Sequence, residues 1–309
     1  MAGTLLFYSL FDEPQEWIEH LADAVPALKV RVHPDVGDPA AVDYALVWKP
    51  PEGFFAPFQN LKLVINLGAG IDSLAGRSDL PAVPVMRLSD PDMVTQMTTY
   101  VTAAVLRYSR DFDRFEADTR ARRWVYLHPR RQHDVTVGVM GLGELGLPAA
   151  KTLASLGLSV RGWSRSPKSL PFPTMAGIDA LSDFFQGLDI VVSLLPLTAE
   201  TRGLFDAAAF AAMDPGTAFI NASRGAVVDE AALAAVLHSG HLRGATLDAF
   251  QVEPLPPEAA LRDAPNLLVT PHIASIAGPR GAAPEIAANI RRLEAGEPLQ
   301  HLADLSRGY

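Results

Sequence analysis

The sequence predicts an α/β protein made of two parallel-sheet domains, and three observations predict it. The chain has 309 residues, about twice the roughly 150 of a typical domain. Short apolar or β-branched runs alternate with helical segments along its whole length, the order that builds parallel sheets. Those runs are apolar almost throughout rather than alternating, as strands covered on both faces require.

Taken in order, Thr4–Ser9, Leu28–Val32, Tyr44–Trp48, Leu61–Leu67 and Val83–Leu88 read as the strands of a first α/β unit of about 90 residues. Asp90 then reads as an N-cap and Pro91 as the first helical residue. From Met93 through Met97, Tyr100, Val101, Ala104, Val105, Tyr108, Phe112 and Phe115, apolar residues recur at three- and four-residue spacing. This pattern predicts one long amphipathic helix. After a loop with five arginines, Arg120–Arg131, strands are predicted at Val135–Gly141, Ser159–Trp163, Asp189–Leu195, Thr217–Ser223, Gly244–Phe250 and Leu267–Thr270. A final helix covers Ala282–Leu293.

Composition removes several function classes. The formal net charge is −9, from 26 Lys+Arg against 35 Asp+Glu, which argues against general affinity for nucleic acid or anionic lipid. With no cysteine, disulfide scaffolds, thiolate metal sites and cysteine nucleophiles are out. His238 and His241 lie three apart without an acidic or cysteine partner at ligand spacing, so no metal site is expected. Met1–Phe11 carries no basic region before Asp12–Glu13, and no stretch reaches the roughly 20 apolar residues of a membrane span. A cytoplasmic location is the expectation.

One motif announces a ligand. The strand pattern Val135–Val139 runs into Gly141-Leu142-Gly143-Glu144-Leu145-Gly146 and then the helical Leu147–Leu156. In this context the first glycine permits a tight turn, the second lets a pyrophosphate approach the backbone, and the third packs helix on strand. Backbone N–H groups at the helix start hold the anion, and Glu144 and Leu145 are counted with the three glycines as cofactor-binding residues. Leu147 replaces the lysine of a Walker A loop. The next strand ends in Trp163-Ser164-Arg165-Ser166, with Lys168 beyond and no carboxylate. An acidic residue there would bond the ribose hydroxyls of NAD, whereas Ser164, Arg165, Ser166 and Lys168 suit a 2′-phosphate. NADP(H) is therefore expected in preference to NAD(H).

Three later segments end strands of the same predicted sheet: Ile220–Gly225, Leu247–Pro254 and Thr270–Ser275. Ligands sit at carboxyl ends of parallel strands. The segments supply the guanidinium of Arg224, the carboxylate of Glu253 and the imidazole of His272. A planar fork to hold a carboxylate and an acid to protonate an alkoxide suffice to reduce a 2-oxo acid.

Together with Tyr44–Pro51, Leu67–Ser73 and the closing Arg307-Gly308-Tyr309, these motifs make the whole chain resemble the D-2-hydroxyacid dehydrogenase family. The resemblance implies two Rossmann-like or flavodoxin-like parallel-sheet domains with the active site in the cleft between them. It assigns 1–98 plus 275–309 to a substrate-binding domain and 99–274 to an NADP-binding domain. It implies NADPH-dependent reduction of small 2-oxo acids such as glyoxylate or hydroxypyruvate. Arg224 would bind carboxylate and carbonyl, His272 would be the general acid, and Glu253 its partner. Asp248 would lie near the nicotinamide. Leu195 and Pro196 would cover the cofactor, with Ala222 and Ser223 beside it. Trp48, Lys49, Ala69, Gly70 and Arg280 would contact substrate. A homodimer through the Asp90–Asp118 helical region is also implied. Two departures stand out: Ala249 where the family commonly has valine, and Lys49 where close relatives can carry histidine. The alternatives are a reductase of another 2-oxo acid and a dinucleotide-sensing binding module on the same fold.

Overall fold

A computed structural model of the chain describes residues 3–308. Met1 and Ala2, at the start of the segment read for a leader, and Tyr309 of the closing motif lie outside the described residues. The chain divides into two compact units, Met1–Met93 with Ile276–Tyr309, and Val94–Ser275.

In chain order the first unit contributes β1 (Thr4–Tyr8), α1 (Pro14–Ala24), β2 (Lys29–Val32), β3 (Val42–Val47), β4 (Leu63–Asn66) and β5 (Val85–Arg87). Helices α2 (Pro91–Ser109) and α3 (Phe112–Arg120) follow. Next come β6 (Thr136–Met140), α4 (Gly146–Ser155), β7 (Ser159–Ser164), β8 (Thr174–Ala176), α5 (Leu181–Phe185) and β9 (Ile190–Ser193). The run continues with α6 (Ala207–Ala211), β10 (Ala218–Asn221), α7 (Glu230–His238), β11 (Gly244–Leu247) and β12 (Leu267–Val269). Helix α8 (Pro279–Ala295) returns to the first unit.

The first unit holds a five-stranded sheet of order β2-β1-β3-β4-β5 and the second a seven-stranded sheet of order β12-β11-β10-β9-β6-β7-β8. Every pairing between these strands is parallel among the described residues, and one isolated antiparallel bridge joins Met86 of β5 to Leu302. Counted from its own first strand, the smaller sheet has the flavodoxin-like order 2-1-3-4-5. The larger begins 3-2-1-4-5-6, the dinucleotide-binding order, and reverses direction between β6 and β9. Crevices form at such reversals.

Burial explains why the strands read as continuous apolar runs. In the larger sheet, Ile190 and Val192 of β9 and Ala218 and Ile220 of β10 pack with Val101, Val105, Ala149 and Leu153. Their alternates Val191 and Phe219 pack with Phe184, Phe205, Phe210 and Leu233. Successive side chains point to opposite faces of a strand, so a core on each face demands apolar residues at every position. The smaller sheet buries Val42, Ala45, Val47 and Val64 against Phe54, Phe55 and Phe58.

Two expectations need correction. The single long helix is two: α2 ends at Ser109, Asp111 takes a positive φ of 58°, and α3 starts at Phe112. Arg243 causes the break. Its guanidinium donates to both oxygens of Asp113, at 2.8 and 2.5 Å, and to Asp111 Oδ1 at 2.7 Å. All three side chains are nearly buried, so this pairing overrides an unbroken apolar period. The edge strand β8, paired with β7, was not foreseen. Its three residues follow Pro171 and Pro173, too few to show a period. The predicted cap of α2 is present: Asp90 Oδ1 accepts from the N–H groups of Asp92 (2.9 Å) and Met93 (3.1 Å).

Candidate active site

The loop after β6 is shaped by two glycines the protein itself requires. Gly141 has φ 98°, and a Cβ there would lie 2.4 Å from the carbonyl oxygen of Leu194. A Cβ on Gly146 would lie 1.8 Å from the carbonyl oxygen of Gly141. At Gly143, by contrast, a Cβ would meet no protein atom within 4 Å. Packing does not demand a glycine at that exposed position, whereas close approach of a pyrophosphate would. Helix α4 begins immediately afterwards with no side-chain cap; the Leu147 N–H is taken by the Gly143 carbonyl at 3.0 Å and Pro148 has none, so an anion at this helix start meets the backbone of the loop that precedes them. Leu194 and Leu195, which follow β9, close the other side of the turn, and Thr201 Oγ1 ties down the Pro196 carbonyl at 2.6 Å. The donor set and the open side of Gly143 fit a dinucleotide.

At the end of β7, Trp163 is buried and its Nε1 donates to the Gly177 carbonyl. Ser164, 7% exposed, donates its hydroxyl proton to the Ser166 carbonyl at 2.8 Å. Arg165, Ser166 and Lys168, the other residues expected at a phosphate, are all exposed. Ser164 shapes their loop.

The segments after β11 and β12 bring Glu253 and His272 together, and Arg224 follows β10. After β10, buried Asn221 accepts the Ser223 hydroxyl (2.6 Å) and backbone N–H (3.2 Å) on Oδ1, while Nδ2 donates to the Arg224 carbonyl (3.1 Å). Ala222 and Ser223 are buried in this turn, and half-buried Arg224 is presented beyond it. The next residue has to be glycine, because a Cβ on Gly225 would lie 1.8 Å from the Phe250 carbonyl carbon. After β11, the Phe250 N–H donates to Glu253 Oε1 at 3.1 Å. His272 Nδ1 lies 2.9 and 3.0 Å from the two oxygens of Glu253. A carboxylate accepts, so Nδ1 carries the proton and Nε2 is the ring nitrogen that Glu253 does not engage. Both side chains are about a quarter exposed.

In the first unit, Trp48 and Lys49 follow β3, and Lys49 has a positive φ of 44°. Its ammonium stands 5.6 Å from the Trp48 ring centroid, a cation–π distance. The loop after β4 nestles against that ring: a Cβ on Gly68 would come 2.8 Å from it. Asn66 Nδ2 donates to the carbonyls of Gly68 (2.9 Å) and Gly70 (3.0 Å), holding Ala69 and Gly70 in a fixed turn. Arg280 is exposed in the first turn of α8.

Residues 102–274 match the family model described as D-isomer specific 2-hydroxyacid dehydrogenase, NAD binding domain. The chain belongs to this family. Glyoxylate/hydroxypyruvate reductase A of Serratia proteamaculans is 40% identical, over 99% of each chain. Among solved structures, a D-isomer specific 2-hydroxyacid dehydrogenase from Xanthobacter autotrophicus Py2, in complex with NADPH and MES, is 55% identical with a TM-score of 0.96 over 100% of both chains. An NADPH-dependent glyoxylate/hydroxypyruvate reductase from Sinorhizobium meliloti, in complex with NADP and sulfate, is 38% identical with a TM-score of 0.93, covering 99% of this chain and 100% of that one.

Within this family member, three features escaped sequence reasoning. Asn66 and Asn221 shape loops through amide contacts two to four residues away, and nothing in their strand-end positions distinguished them. Tyr100 read only as one apolar position of α2, yet its hydroxyl lies 2.6 Å from Thr270 Oγ1. Burial pushes its phenol up to about 12. Asp248, expected beside a nicotinamide, is 2% exposed and receives three protein hydrogen bonds, from Thr270 Oγ1 and the N–H groups of Ile273 and Ala274. Among the described residues no group of three or more His, Cys, Asp or Glu is arranged to hold a metal ion. No helix there is long and apolar enough to cross a membrane.

Proposed function

We propose that this dehydrogenase reduces small 2-oxo acids with NADPH, taking glyoxylate to glycolate and hydroxypyruvate to D-glycerate. The observation that carries the reading is the His272–Glu253 pair at 2.9 Å, on the strand ends next to Arg224. The names of the Serratia and Sinorhizobium relatives support the substrates, and the Xanthobacter and Sinorhizobium complexes support the cofactor. In this reading the second unit, taken as 99–274, binds the dinucleotide, and 1–98 with 275–309 binds substrate.

The Arg224 guanidinium grips the substrate carboxylate and its neighbouring carbonyl oxygen, polarising C2. NADPH, when bound, would supply a hydride to that carbon. His272 Nε2 gives its proton to the oxygen as charge develops on it, so the 2-oxo acid gains one hydride and one proton. Glu253 keeps Nδ1 protonated and fixes the ring plane. Arg165, Ser166 and Lys168 hold the adenosine phosphate. In the first unit the backbone N–H groups of Ala69 and Gly70 meet the substrate carboxylate, Trp48 and Lys49 line the pocket, and Arg280 adds positive charge at its mouth. The protein works as a homodimer through the Asp90–Asp118 helical region; Trp124 and Tyr126, 99% and 79% exposed just beyond it, support that reading.

The test is His272→Ala. Loss of a general acid predicts a fall in kcat of about 10²- to 10⁴-fold, while fluorescence titration shows unchanged NADPH binding. Turnover of glyoxylate within tenfold of wild type would overturn the assignment.

A further inference from the structure

His272 sits in a backbone conformation that a residue with a Cβ avoids. Its φ is 57°, in the left-handed region usually left to glycine or asparagine. Such a conformation persists only where the surroundings impose it. Glu253 fixes the imidazole ring, but a side-chain contact at Nδ1 does not set the main-chain angle.

The backbone is gripped from the other side by Asp248. Its Oδ1 accepts the Ile273 N–H at 2.9 Å and its Oδ2 the Ala274 N–H at 2.8 Å, the two peptide groups that follow the histidine. Oδ1 also accepts the Thr270 hydroxyl at 2.7 Å, two residues before it. One buried carboxylate thereby clamps the turn on both sides of residue 272. Thr270 has a single hydroxyl proton and spends it on Asp248, so the 2.6 Å contact with Tyr100 is donated by the tyrosine. The Tyr100 phenol, pushed up to about 12 by burial, keeps its proton throughout the working pH range. The chain of donors runs from α2 through Thr270 to Asp248, and each bond strengthens the next.

We propose that Tyr100, Thr270 and Asp248 are positioning residues for His272, holding its backbone in the left-handed turn that aims Nε2 at the substrate. The inference rests on the reading of His272 as the acid and adds to it a second support, independent of Glu253. It also gives Asp248 work that does not depend on touching a cofactor.

The experiment compares Thr270→Val, Thr270→Ser and Tyr100→Phe, with circular dichroism and NADPH titration on each. Thr270→Val keeps the side-chain volume and removes the hydroxyl. Misplacing the acid by a fraction of an ångström predicts a fall in kcat of about 10- to 100-fold, with NADPH affinity unchanged and a larger solvent deuterium isotope effect on kcat. Thr270→Ser, which keeps the hydroxyl, recovers most of the rate. Tyr100→Phe gives a smaller loss, and combining it with Thr270→Val adds little, because both cut the same chain. Tyr100→Phe with its isotope effect decides the matter if Thr270→Val does not fold. Wild-type kcat and isotope effect in a folded Thr270→Val or Tyr100→Phe protein, beside an inactive His272→Ala, would overturn the proposal alone. Full turnover by His272→Ala would instead overturn the acid reading beneath it.

Discussion

Removing the Arg243 guanidinium, by Arg243→Met, tests the pairing that breaks the α2–α3 helix. The wild-type side chain is 13% exposed, Asp113 is fully buried and Asp111 is 10% exposed. Burial opposes the charge on Arg243, but its bonds to Asp113 and Asp111 more than restore it, so the guanidinium is held charged above its ordinary range. Methionine fills similar space and leaves two adjacent carboxylates without their shared cation. Breaking a buried pair from one side costs about 3–5 kcal/mol, most of it the uncompensated charge left behind. At roughly 2–4 °C per kcal/mol for a chain of this size, Tm falls by about 6–20 °C. Arg243 precedes the amino end of β11, and Asp248 follows its carboxyl end, so kcat measured well below Tm stays at its wild-type value. Differential scanning calorimetry with steady-state kinetics is the assay. A Tm within 2 °C of wild type would refute the argument that this pair carries the junction, and a lost kcat in the folded variant would refute its separation from the reacting groups.

Replacing Arg165 and Lys168 together by alanine raises KM for NADPH by about tenfold or more, since two charge-assisted contacts to a phosphate are lost. KM for NADH moves little, and an unchanged ratio of kcat/KM for the two cofactors would remove these residues from cofactor selection. Sedimentation velocity at micromolar concentration shows a dimer, and Trp124→Ser with Tyr126→Ser shifts it toward monomer; a wild-type monomer alone would end the homodimer reading.

Much of this was legible because the chemistry is local. Gly141, Gly143 and Gly146 lie within six residues; the protein's own packing demands the first and third, and the approach of a pyrophosphate is the reason for the second. The parallel strands were readable because cores on both faces leave no room for polar alternation. Expectation failed where a distant partner decided. The apolar period ran on past Ser109, but Arg243, 130 residues away from Asp113, ended it. Tyr100 and Thr270 are 170 residues apart, and no spacing rule joins a helix position to a turn at the far end of the chain. Ser164 read as a phosphate ligand on its residue type, whereas its hydroxyl proton serves the turn.

The strand order of the larger sheet also acts as a ruler. From β7, which Arg165 follows, to β11, which Asp248 follows, there are four strand intervals, and at about 4.8 Å each they span roughly 19 Å. The groups proposed to choose the cofactor and the Asp248 clamp proposed to hold the acid are therefore too far apart to touch, and changes at the two ends should combine additively in free energy. A sheet built in this order lets cofactor choice drift or be redesigned without disturbing how the acid is held.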